Sequence, residues 1–358
     1  MKHSKFNFKI VGAAVLTVFL FAIVFVSCKK DENTTPVDKA ALNDTIAVAN
    51  NLIATTVEGT KPGEYTIGSQ ALLQTAIVAA QTVADNSSAT QSDVTNATSN
   101  LHAALNTYRG SLIQEIAVEN LIGFWKMNGN ANDSSGHNNN GTVTQGHAYF
   151  GAGTPNLTTD RFGRVNMAYH FDHGGNIEVP YSSALNPQQI SISLWARQDT
   201  AGRTINKDAN YMVSMNRWNG YKFQTQSVYK PFFTVHAITP AGDTTYYDRD
   251  DVTFTVTPGA TWYHLVVTFT SGVEDFYVNG SLVKEWTDVP GTPITVDNID
   301  LTIGSDLPTS KYLTVDPTGA FLVDYGGFWT GDLDDVMFYN IALTGSQVAS
   351  IYANQSTP

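Results

Sequence analysis

Apolar residues recur every three or four positions through the first third of the chain, which predicts amphipathic helices. On the first helix this stripe contains Leu42, Ile46, Ala49 and Ile53. The loop that follows, Glu58–Gly63, contains two glycines and one proline, and such residues interrupt a helix. We therefore expect the first helix to end at this loop.

Two further helices are expected after short breaks. Ser69 precedes a second apolar stripe and is predicted to cap that helix, because a serine oxygen accepts hydrogen bonds from the free amides of the first turn. Thr90, with Asp93 three positions later, is typical of a variant capping box at the start of a third helix. Three helices with short links predict a small bundle over residues 39–117.

From Leu121 onward the period of the apolar residues shortens to two, which predicts strands. Apolar residues alternate with others from Ile190 to Arg197, and the Asn279–Gly280 pair between two such runs predicts a two-residue hairpin turn. Many short strands without a long helix indicate an all-β sandwich or jelly roll over residues 119–355. Thr344 is expected to cap a short final helix.

Composition narrows the possible partners. The chain of 358 residues has a net charge of −12, and charged residues make up 15% of it. Nucleic acid is recognised by basic surfaces, so we expect no nucleic acid partner. The chain has one cysteine, which excludes a disulfide within it.

The first 27 residues have the order of a secretory signal peptide: a basic start, an apolar run from Ile10 to Val26, and a small residue, Ser27. The single cysteine, Cys28, follows at once, and the charged run Lys29–Glu32 comes next. This arrangement resembles the lipidated first residue of mature bacterial lipoproteins. The charged run resembles the surface-export tag of lipoproteins in polysaccharide-harvesting Gram-negative bacteria.

The lipoprotein resemblance implies an acylated Cys28, a tether over residues 28–38, and a cell-surface position on the lipid of the outer membrane. Phe25 departs from the pattern, since the family usually has Leu at the start of this motif. An uncleaved transmembrane anchor is the alternative, because about 17 apolar residues is the lower limit for a membrane span.

The segment from Ala41 to Leu112 resembles the FIVAR-type helical module ("found in various architectures"). The resemblance depends on the Val57–Gly63 loop and on the Ala-rich third helix. Such modules often accompany surface carbohydrate-active domains and have no settled activity of their own. A helix of about 20 residues is roughly 30 Å long, so the module is expected to act as a spacer. A second binding module is the alternative.

Two segments bracket the β region: Leu121–Gly136, followed by Asn140–Thr142, and Gly331–Leu343. Together with the interior segments Arg161–Gly163, Ala168–Asp172, Trp262–Leu265 and Asp275–Gly280, they resemble a laminin-G-like, concanavalin A-like jelly roll. The resemblance spans residues 121–353 and implies two antiparallel sheets in which the first and last strands are adjacent. The expected fold class is therefore a multidomain chain, with an N-terminal three-helix bundle and an all-β jelly-roll sandwich.

The same resemblance implies a structural Ca²⁺ ion. Asp334 would be one ligand, with Asn128 and Asp133 as further candidates, although the family usually has Asp where this chain has Asn128. Ca²⁺ takes six to eight oxygens, so backbone carbonyls and water would complete the shell. In the alternative, Asp133 caps the Ser134–Gly136 turn and Asp334 accepts buried hydrogen bonds.

The sequence contains no recognisable catalytic motif. Glycan-cleaving relatives carry Glu-x-Asp-x-x-Glu on one strand, and the nearest run here, Asp332–Asp335, lacks both glutamates. The charged run Asp248–Asp251 is expected to be a solvated loop. The eight histidines do not have the spacing of zinc ligands.

Sugar recognition requires flat apolar groups beside hydrogen-bonding groups in a preformed site. The expected turn Asn216–Tyr221 combines both kinds, and Tyr246–Arg249 is a second cluster. The candidate ligand-binding residues are Trp218, Asn219, Tyr221, Tyr247 and Arg249. Ordinary rim packing is the alternative for Trp218 and Tyr247.

Other aromatic residues are expected to be structural. Trp125 and Trp195 are typical framework residues of the family, and Phe328 and Trp329 in the cluster Tyr325–Trp329 fall where the family has core aromatics. The sequence therefore predicts a surface-anchored, non-catalytic carbohydrate-binding lipoprotein that captures glycans for a polysaccharide-utilisation system. A glycoside hydrolase or lyase of the same fold and a protein-binding adhesion module are the alternatives.

Overall fold

The computed structural model describes residues 36–200, 209–226, 229–313, 323 and 326–358. The predicted signal peptide (residues 1–27), Cys28 and most of the predicted tether (residues 28–38) lie outside the described residues, as does Tyr325. Within the described part of the chain, no helix is both long enough and apolar enough to cross a membrane.

The N-terminal part is the predicted three-helix bundle. Its helices are α1 (Ala40–Thr55), α2 (Ser69–Asp85) and α3 (Gln91–Gly110). Between α1 and α2, the two-residue strands β1 (Glu58–Gly59) and β2 (Tyr65–Thr66) pair in parallel. The helices pack around buried apolar residues, among them Leu42, Ile46, Leu73, Ile77, Leu101, Leu105 and Tyr108.

Of the two caps predicted for the helices of the bundle, one is confirmed. Thr90 and Asp93 form a capping box, in which Asp93 Oδ2 accepts from the Thr90 backbone amide at 2.8 Å. The cap predicted for α2 was wrong, because Gly68 is the N-cap and has φ = 92°. Glycine adopts this left-handed conformation without steric cost, so the helix begins at Ser69 itself. The Ser69 hydroxyl instead donates to Glu58 at 3.3 Å.

The remainder of the chain forms the predicted sandwich of two antiparallel sheets, with eight strands in each. The strands are β3 (Leu121–Trp125), β4 (Thr142–Thr144), β5 (Asn156–Thr158), β6 (Ala168–Phe171), β7 (Asn176–Val179), β8 (Ile190–Gln198), β9 (Asn210–Met215), β10 (Tyr221–Gln226), β11 (Lys230–Ile238), β12 (Thr244–Asp250), β13 (Tyr263–Thr270), β14 (Val273–Val278), β15 (Ser281–Trp286), β16 (Thr292–Pro293), β17 (Leu301–Ile303) and β18 (Gly331–Tyr339). The front sheet has the order β12-β11-β10-β9-β17-β7-β4, with β16 beside β11, and the back sheet has the order β15-β14-β13-β8-β18-β6-β5, with β3 beside β18. Short 3₁₀ helices cover Val118–Asn120, Ala148–Phe150, Ser183–Leu185, Arg217–Asn219 and Thr309–Leu313.

The last strand, β18, closes the sandwich as the sequence predicted. It pairs with β8 along one edge, and with β6 and then β3 along the other. The register of the β18–β8 pairing shifts between Asp334 and Met337, and Asp335 has φ = 45° at this irregularity. The hairpin turn is also confirmed, since Asn279 and Gly280 both have positive φ between β14 and β15.

One hydrophobic core fills the space between the sheets. Its largest fully buried side chains include Trp125, Trp329, Phe171, Phe223 and Phe338. Trp125 satisfies its only polar atom by donating to the Asn139 carbonyl at 2.8 Å. Phe328 and Trp329 are buried in this core, as expected for structural aromatics.

A fourth helix, α4 (Gly345–Gln355), covers part of the outer face of the back sheet. Thr344 is its predicted cap and forms a capping box with Gln347. The helix also contacts the N-terminal bundle, since Ser350 and Asn354 both donate to the Thr60 carbonyl. Helix α4 is therefore a point of contact between the bundle and the sandwich.

One buried carboxylate inside the sandwich is electrostatically unfavourable. Glu274 is 0% exposed on β14, and neither of its carboxylate oxygens has a hydrogen-bond partner among the described residues. Burial raises the pKa of Glu274 well above its ordinary value of 4.5, and the nearby Arg249 only partly opposes this rise. Because the folded pKa exceeds the unfolded pKa, the contribution of Glu274 to the free energy of unfolding is fully present below pH 4.5 and is lost as pH rises through the folded pKa.

We expect Glu274→Gln to raise the free energy of unfolding at pH 8 by about 1–3 kcal/mol, because the amide cannot ionise and so removes the cost of keeping a raised-pKa carboxyl in the folded state. At pH 4 the gain should largely disappear, because the carboxyl is then protonated in both states. Urea unfolding at the two pH values measures the difference. Glu285→Gln, an exposed position on the adjacent strand, is the matched control. An equal gain at both pH values would contradict this explanation.

Candidate functional site

The turn between β9 and β10 carries Trp218. Two successive residues of this turn, Asn216 and Arg217, have left-handed φ values of 63° and 55°. Asn adopts this conformation readily, whereas it is uncommon for Arg and indicates that the surroundings enforce it. The Arg217 backbone amide donates to the Ser214 hydroxyl at 3.1 Å, which helps to hold the turn.

The Arg217 side chain is buried beneath this turn. It is 2% exposed, and its guanidinium forms a salt bridge with Asp306, which is 0% exposed. The Tyr312 hydroxyl donates to the other oxygen of Asp306. Burial raises the pKa of Asp306, while the Arg217 charge and the Tyr312 hydrogen bond oppose the rise. The buried Arg217–Asp306 pair therefore holds the backbone of the turn that carries Trp218.

The indole of Trp218 lies against this buried cation. The guanidinium carbon of Arg217 is 5.3 Å from the centroid of the Trp218 ring and 5.7 Å from that of Tyr312. Cations at such distances are attracted to the face of an aromatic ring. Trp218 is partly exposed and Asn219 is exposed, so both reach the surface.

A second aromatic pair lies beside this turn, on β11 and β12. The rings of His236 and Tyr246 stack with their centroids 4.2 Å apart and their planes inclined by 19°. Tyr246 is 46% exposed. His236 Nδ1 is 3.3 Å from the carbonyl oxygen of Asn219, so this pair adjoins the Trp218 turn.

Polar groups accompany these rings on the same face of the sheet. Asp248 lies two residues beyond Tyr246 on β12, is exposed, and accepts a hydrogen bond from the Thr234 hydroxyl. Trp218, Asn219, His236, Tyr246 and Asp248 together are called the front patch. It presents aromatic rings beside an amide and a carboxylate, which is a combination that suits a hydroxylated ring.

The sheet beneath the front patch is rigid and largely dehydrated. Lys222 on β10 pairs with Thr234, is only 6% exposed, and donates to Gln224 Oε1 at 3.1 Å. Its ammonium lies 5.4 Å from the Tyr211 ring and 5.2 Å from the Phe232 ring. Burial lowers the pKa of Lys222, and nearby carboxylates partly oppose this. Lys222 therefore supports the sheet and is too buried to be a ready contact for a ligand.

Tyr221 and Tyr247 do not belong to this surface. They pair through Val235 on β10, β11 and β12, and all three residues face the core. The Tyr221 hydroxyl donates to the Leu185 carbonyl at 2.9 Å, and the Tyr247 hydroxyl donates to that of Pro290. The candidate ligand contacts Tyr221 and Tyr247 are therefore corrected: both are core residues.

The prediction of a solvated loop over Asp248–Asp251 was wrong. Residues up to Asp250 form β12, and strand side chains alternate between faces, so Tyr246 and Tyr247 point in opposite directions. Arg249 shares the inner face with Tyr247 and bonds Asp288 at 3.1 Å. On this strand Tyr246 shares the outer face with Asp248. His236 was missed because no local motif marks it.

The predicted calcium ligands have protein partners. Asp133 Oδ1 accepts from the backbone amides of Phe124 at 2.9 Å and Ser135 at 2.8 Å. Its Oδ2 accepts from the Ser135 hydroxyl at 2.8 Å and the Asn139 amide at 3.0 Å. These four bonds use the acceptor capacity of a carboxylate, as in the turn-capping alternative. Asn128 is exposed.

Asp334 is paired with an arginine, Arg161. It is 2% exposed and forms a salt bridge with Arg161, which also binds Asp335 at 2.7 Å. Burial and the Asp335 carboxylate raise the pKa of Asp334, and Arg161 opposes the rise. In the described ranges, no group of three or more His, Cys, Asp or Glu side chains is arranged to hold a metal. In this arrangement the three residues do not fit a Ca²⁺ site.

We expect Asp133→Ala to lower the free energy of unfolding by at least about 2 kcal/mol, because several backbone amides lose their acceptor. Thermal unfolding of the unmutated protein should not change with EDTA or with millimolar Ca²⁺. Asn132→Ala, at the exposed neighbouring position, is the control and should have little effect. A rise in the unfolding temperature with Ca²⁺ that Asp133→Ala abolishes would restore the calcium site.

Solved structures with a similar fold include an enzyme domain and toxin domains. The fourth domain of an extracellular arabinanase from Geobacillus stearothermophilus, in complex with arabinotriose, is 19% identical, covers 65% of this chain over 98% of its own length, and has a TM-score of 0.45. The binding domain of Paraclostridial Mosquitocidal Protein 1 is 15% identical, with a TM-score of 0.44. The botulinum neurotoxin serotype D binding domain is 14% identical, with a TM-score of 0.43. The two toxin domains each cover 66% of this chain, which matches about half of their length.

A family model gives the assignment. No curated protein sequence matches the chain. The model of the concanavalin A-like lectin/glucanases superfamily matches residues 171–349, which is half of the chain. The two packed antiparallel sheets agree with this match. The chain therefore belongs to the concanavalin A-like lectin/glucanases superfamily.

Proposed function

We propose that this chain is a non-catalytic carbohydrate-binding protein and that the front patch binds a neutral glycan. The observation that carries the proposal is the combination of the partly exposed Trp218 with the stacked His236–Tyr246 pair, which adjoins the Trp218 turn through the Asn219 carbonyl. The C–H face of a sugar ring packs on such aromatic faces. Asn219 and Asp248 supply a donor and acceptors for its hydroxyl groups.

The rigidity of the front patch supports the proposal. Binding loses less free energy when the contacting side chains are already fixed, since fewer rotamers are immobilised. Trp218 is held by the buried Arg217–Asp306 pair, and Tyr246 is held on a strand by its stacking on His236. Aromatic side chains without such support would contribute less to a weak interaction.

The superfamily includes glucanases as well as lectins, so a hydrolase is the second candidate. One observation favours it: Asp248 and Asp250 share the outer face of β12, about 7 Å apart along the strand. That separation is close to the carboxylate spacing of inverting glycosidases. Against it, Asp250 Oδ1 accepts from the Val252 amide at 2.9 Å and Asp248 accepts from Thr234. We therefore favour binding over hydrolysis.

We further propose that the protein is lipid-anchored through Cys28 on the surface of the outer membrane and captures glycans for a polysaccharide-utilisation system. The signal-like first 27 residues and the charged run after Cys28 support this proposal. The three-helix bundle would then be the spacer between lipid and sandwich. The alternative for the bundle is that it is a second binding module. The alternative for the sandwich is that it binds a protein and not a glycan.

The first test measures binding of residues 36–358 to a polysaccharide panel: arabinan, xylan, galactan, β-glucan and mucin. We expect Trp218→Ala and Tyr246→Ala each to weaken the best binding at least fivefold, about 1 kcal/mol, because each removes a stacking face. Tyr149→Ala removes an equally exposed tyrosine outside the patch and is the matched control. Affinity electrophoresis and calorimetry measure the change.

Two results would contradict the proposed function. One is full retention of binding in the Trp218→Ala, Tyr246→Ala double variant. The other is release of reducing sugar from any of these polysaccharides that is abolished by Asp248→Asn or Asp250→Asn, which would establish the hydrolase. If this chain binds no polysaccharide of the panel but binds one purified surface protein, the protein-binding adhesion alternative is favoured.

The anchor is tested separately in a Gram-negative expression host. We expect the full chain to fractionate with the outer membrane and to incorporate labelled fatty acid, because acylation of Cys28 adds apolar chains that partition into lipid. Cys28→Ser should lose the label and leave the membrane fraction. Ser27→Ala keeps a small residue before the cysteine and is the control. An unlabelled chain that stays in the membrane would indicate an uncleaved anchor.

A further inference from the structure

The outer face of the back sheet is only partly covered. The last turns of α4 lie over one cross-strand row, where Trp195 donates to Gln355 at 2.9 Å and packs on Tyr352. Trp195 is therefore only 6% exposed. Two residues further along β8, Arg197 has a side chain that is 30% exposed. Helix α4 therefore covers the cross-strand row of Trp195 but not the next row, which contains Arg197.

The uncovered row crosses five adjacent strand positions. Asn156 on β5 pairs with His170 on β6, His170 pairs with Asp332 on β18, and Asp332 pairs with Arg197 on β8. Trp262 precedes β13 and continues the row, since the Arg197 guanidinium lies 5.2 Å from its ring centroid. These five residues are called the back row. With strands about 4.8 Å apart, it extends for roughly 19 Å.

Asp332 is the fixed centre of the back row. Its side chain is 3% exposed, and it binds His170 Nδ1 at 2.8 Å through one oxygen and Arg197 through the other. His170 and Arg197 are 33% and 30% exposed, so their outer edges reach solvent from fixed positions. The hydrogen bond to Asp332 raises the pKa of His170, against the effect of its burial.

Burying the Asp332 carboxylate between His170 and Arg197 has a high desolvation cost and contributes little to the stability of the fold. Buried ion pairs are often no more stabilising than well-packed apolar residues of similar size. Here the buried carboxylate orients two partly exposed side chains beside Trp262, which is half-buried. Fixed side chains supported by a buried carboxylate are the usual construction of a binding site.

The chemistry of the back row matches a polyhydroxylated ligand better than a charged one. Arg197 and His170 can donate, while Asn156 and the adjacent Asp199, 3.9 Å from His170, can accept. Asp172 adds a further carboxylate near His170, so positive charge does not dominate. The Trp262 ring supplies the apolar face on which a sugar ring packs.

We infer that the back row is a second glycan-binding surface, on the opposite face of the sandwich from the front patch. This inference rests on the proposed function. Two separate surfaces would let one molecule bind a long polysaccharide at two points. Two linked binding events can raise the apparent affinity by about 10² to 10⁴ over a single site.

Calorimetry with trisaccharides cut from the panel polysaccharides counts the sites on residues 36–358. We expect two trisaccharides per chain for the unmutated protein, one for Trp262→Ala, one for Trp218→Ala and none for the double variant. With the parent polysaccharide, Trp262→Ala should weaken retention in affinity electrophoresis at least tenfold. Tyr149→Ala should change neither result.

A second variant guards against misfolding. Arg197→Lys keeps a positive charge beside Asp332 but loses the planar guanidinium that meets the ligand and Trp262, so it should also reduce the count to one. Unchanged circular dichroism and unfolding temperature verify the fold of each variant.

The outcomes separate this inference from the proposed function. One trisaccharide per chain, lost in Trp218→Ala and unaffected by Trp262→Ala and Arg197→Lys, would overturn the back row alone. Binding that depends only on Trp262 would support the back row and overturn the front patch. No binding to any trisaccharide or polysaccharide would overturn both.

Discussion

Successive side chains of a strand point to opposite faces, and this constraint determines both the core and the surface of the sandwich. In β10, β11 and β12 it places Tyr221, Val235 and Tyr247 together in the core. The same pairing places Tyr246 beside His236 on the outside. A register slip of one residue would exchange these sets, so apolar burial fixes the position of the candidate site.

Buried ion pairs fix the positions of the side chains that reach solvent at the front patch and at the back row. On the front sheet, the Arg217–Asp306 pair holds an uncommon backbone conformation beneath Trp218. On the back sheet, Asp332 holds His170 and Arg197. In each case a carboxylate removed from water binds a cation that contacts a partly exposed tryptophan. The sandwich therefore supplies rigid strands, and a few charged residues fix the aromatic side chains that reach solvent.

Features that depend on local chemistry could be predicted from the sequence. The capping boxes at Thr90 and Thr344 and the Asn279–Gly280 turn require particular residues at fixed spacing, and all three are present in the structure. The adjacency of the first and last strands followed from family resemblance. Features that depend on tertiary contacts were missed: the burial of Arg217 is set by Asp306, which lies 89 residues away. The prediction of Tyr247 as a ligand contact was wrong because its segment forms strand β12, and the run Tyr246–Asp250 has no alternation of apolar and polar residues that would have indicated a strand.

The most direct test of the account is to map a bound oligosaccharide by hydrogen–deuterium exchange of residues 36–358. Ligand bound at the front patch should protect amides in residues 216–220, 232–238 and 244–250, with any further protection confined to the strands of the back row. Protection centred on the bundle or on the loop around Asp133, with none in these three segments, would contradict the claim that the front sheet recognises the glycan.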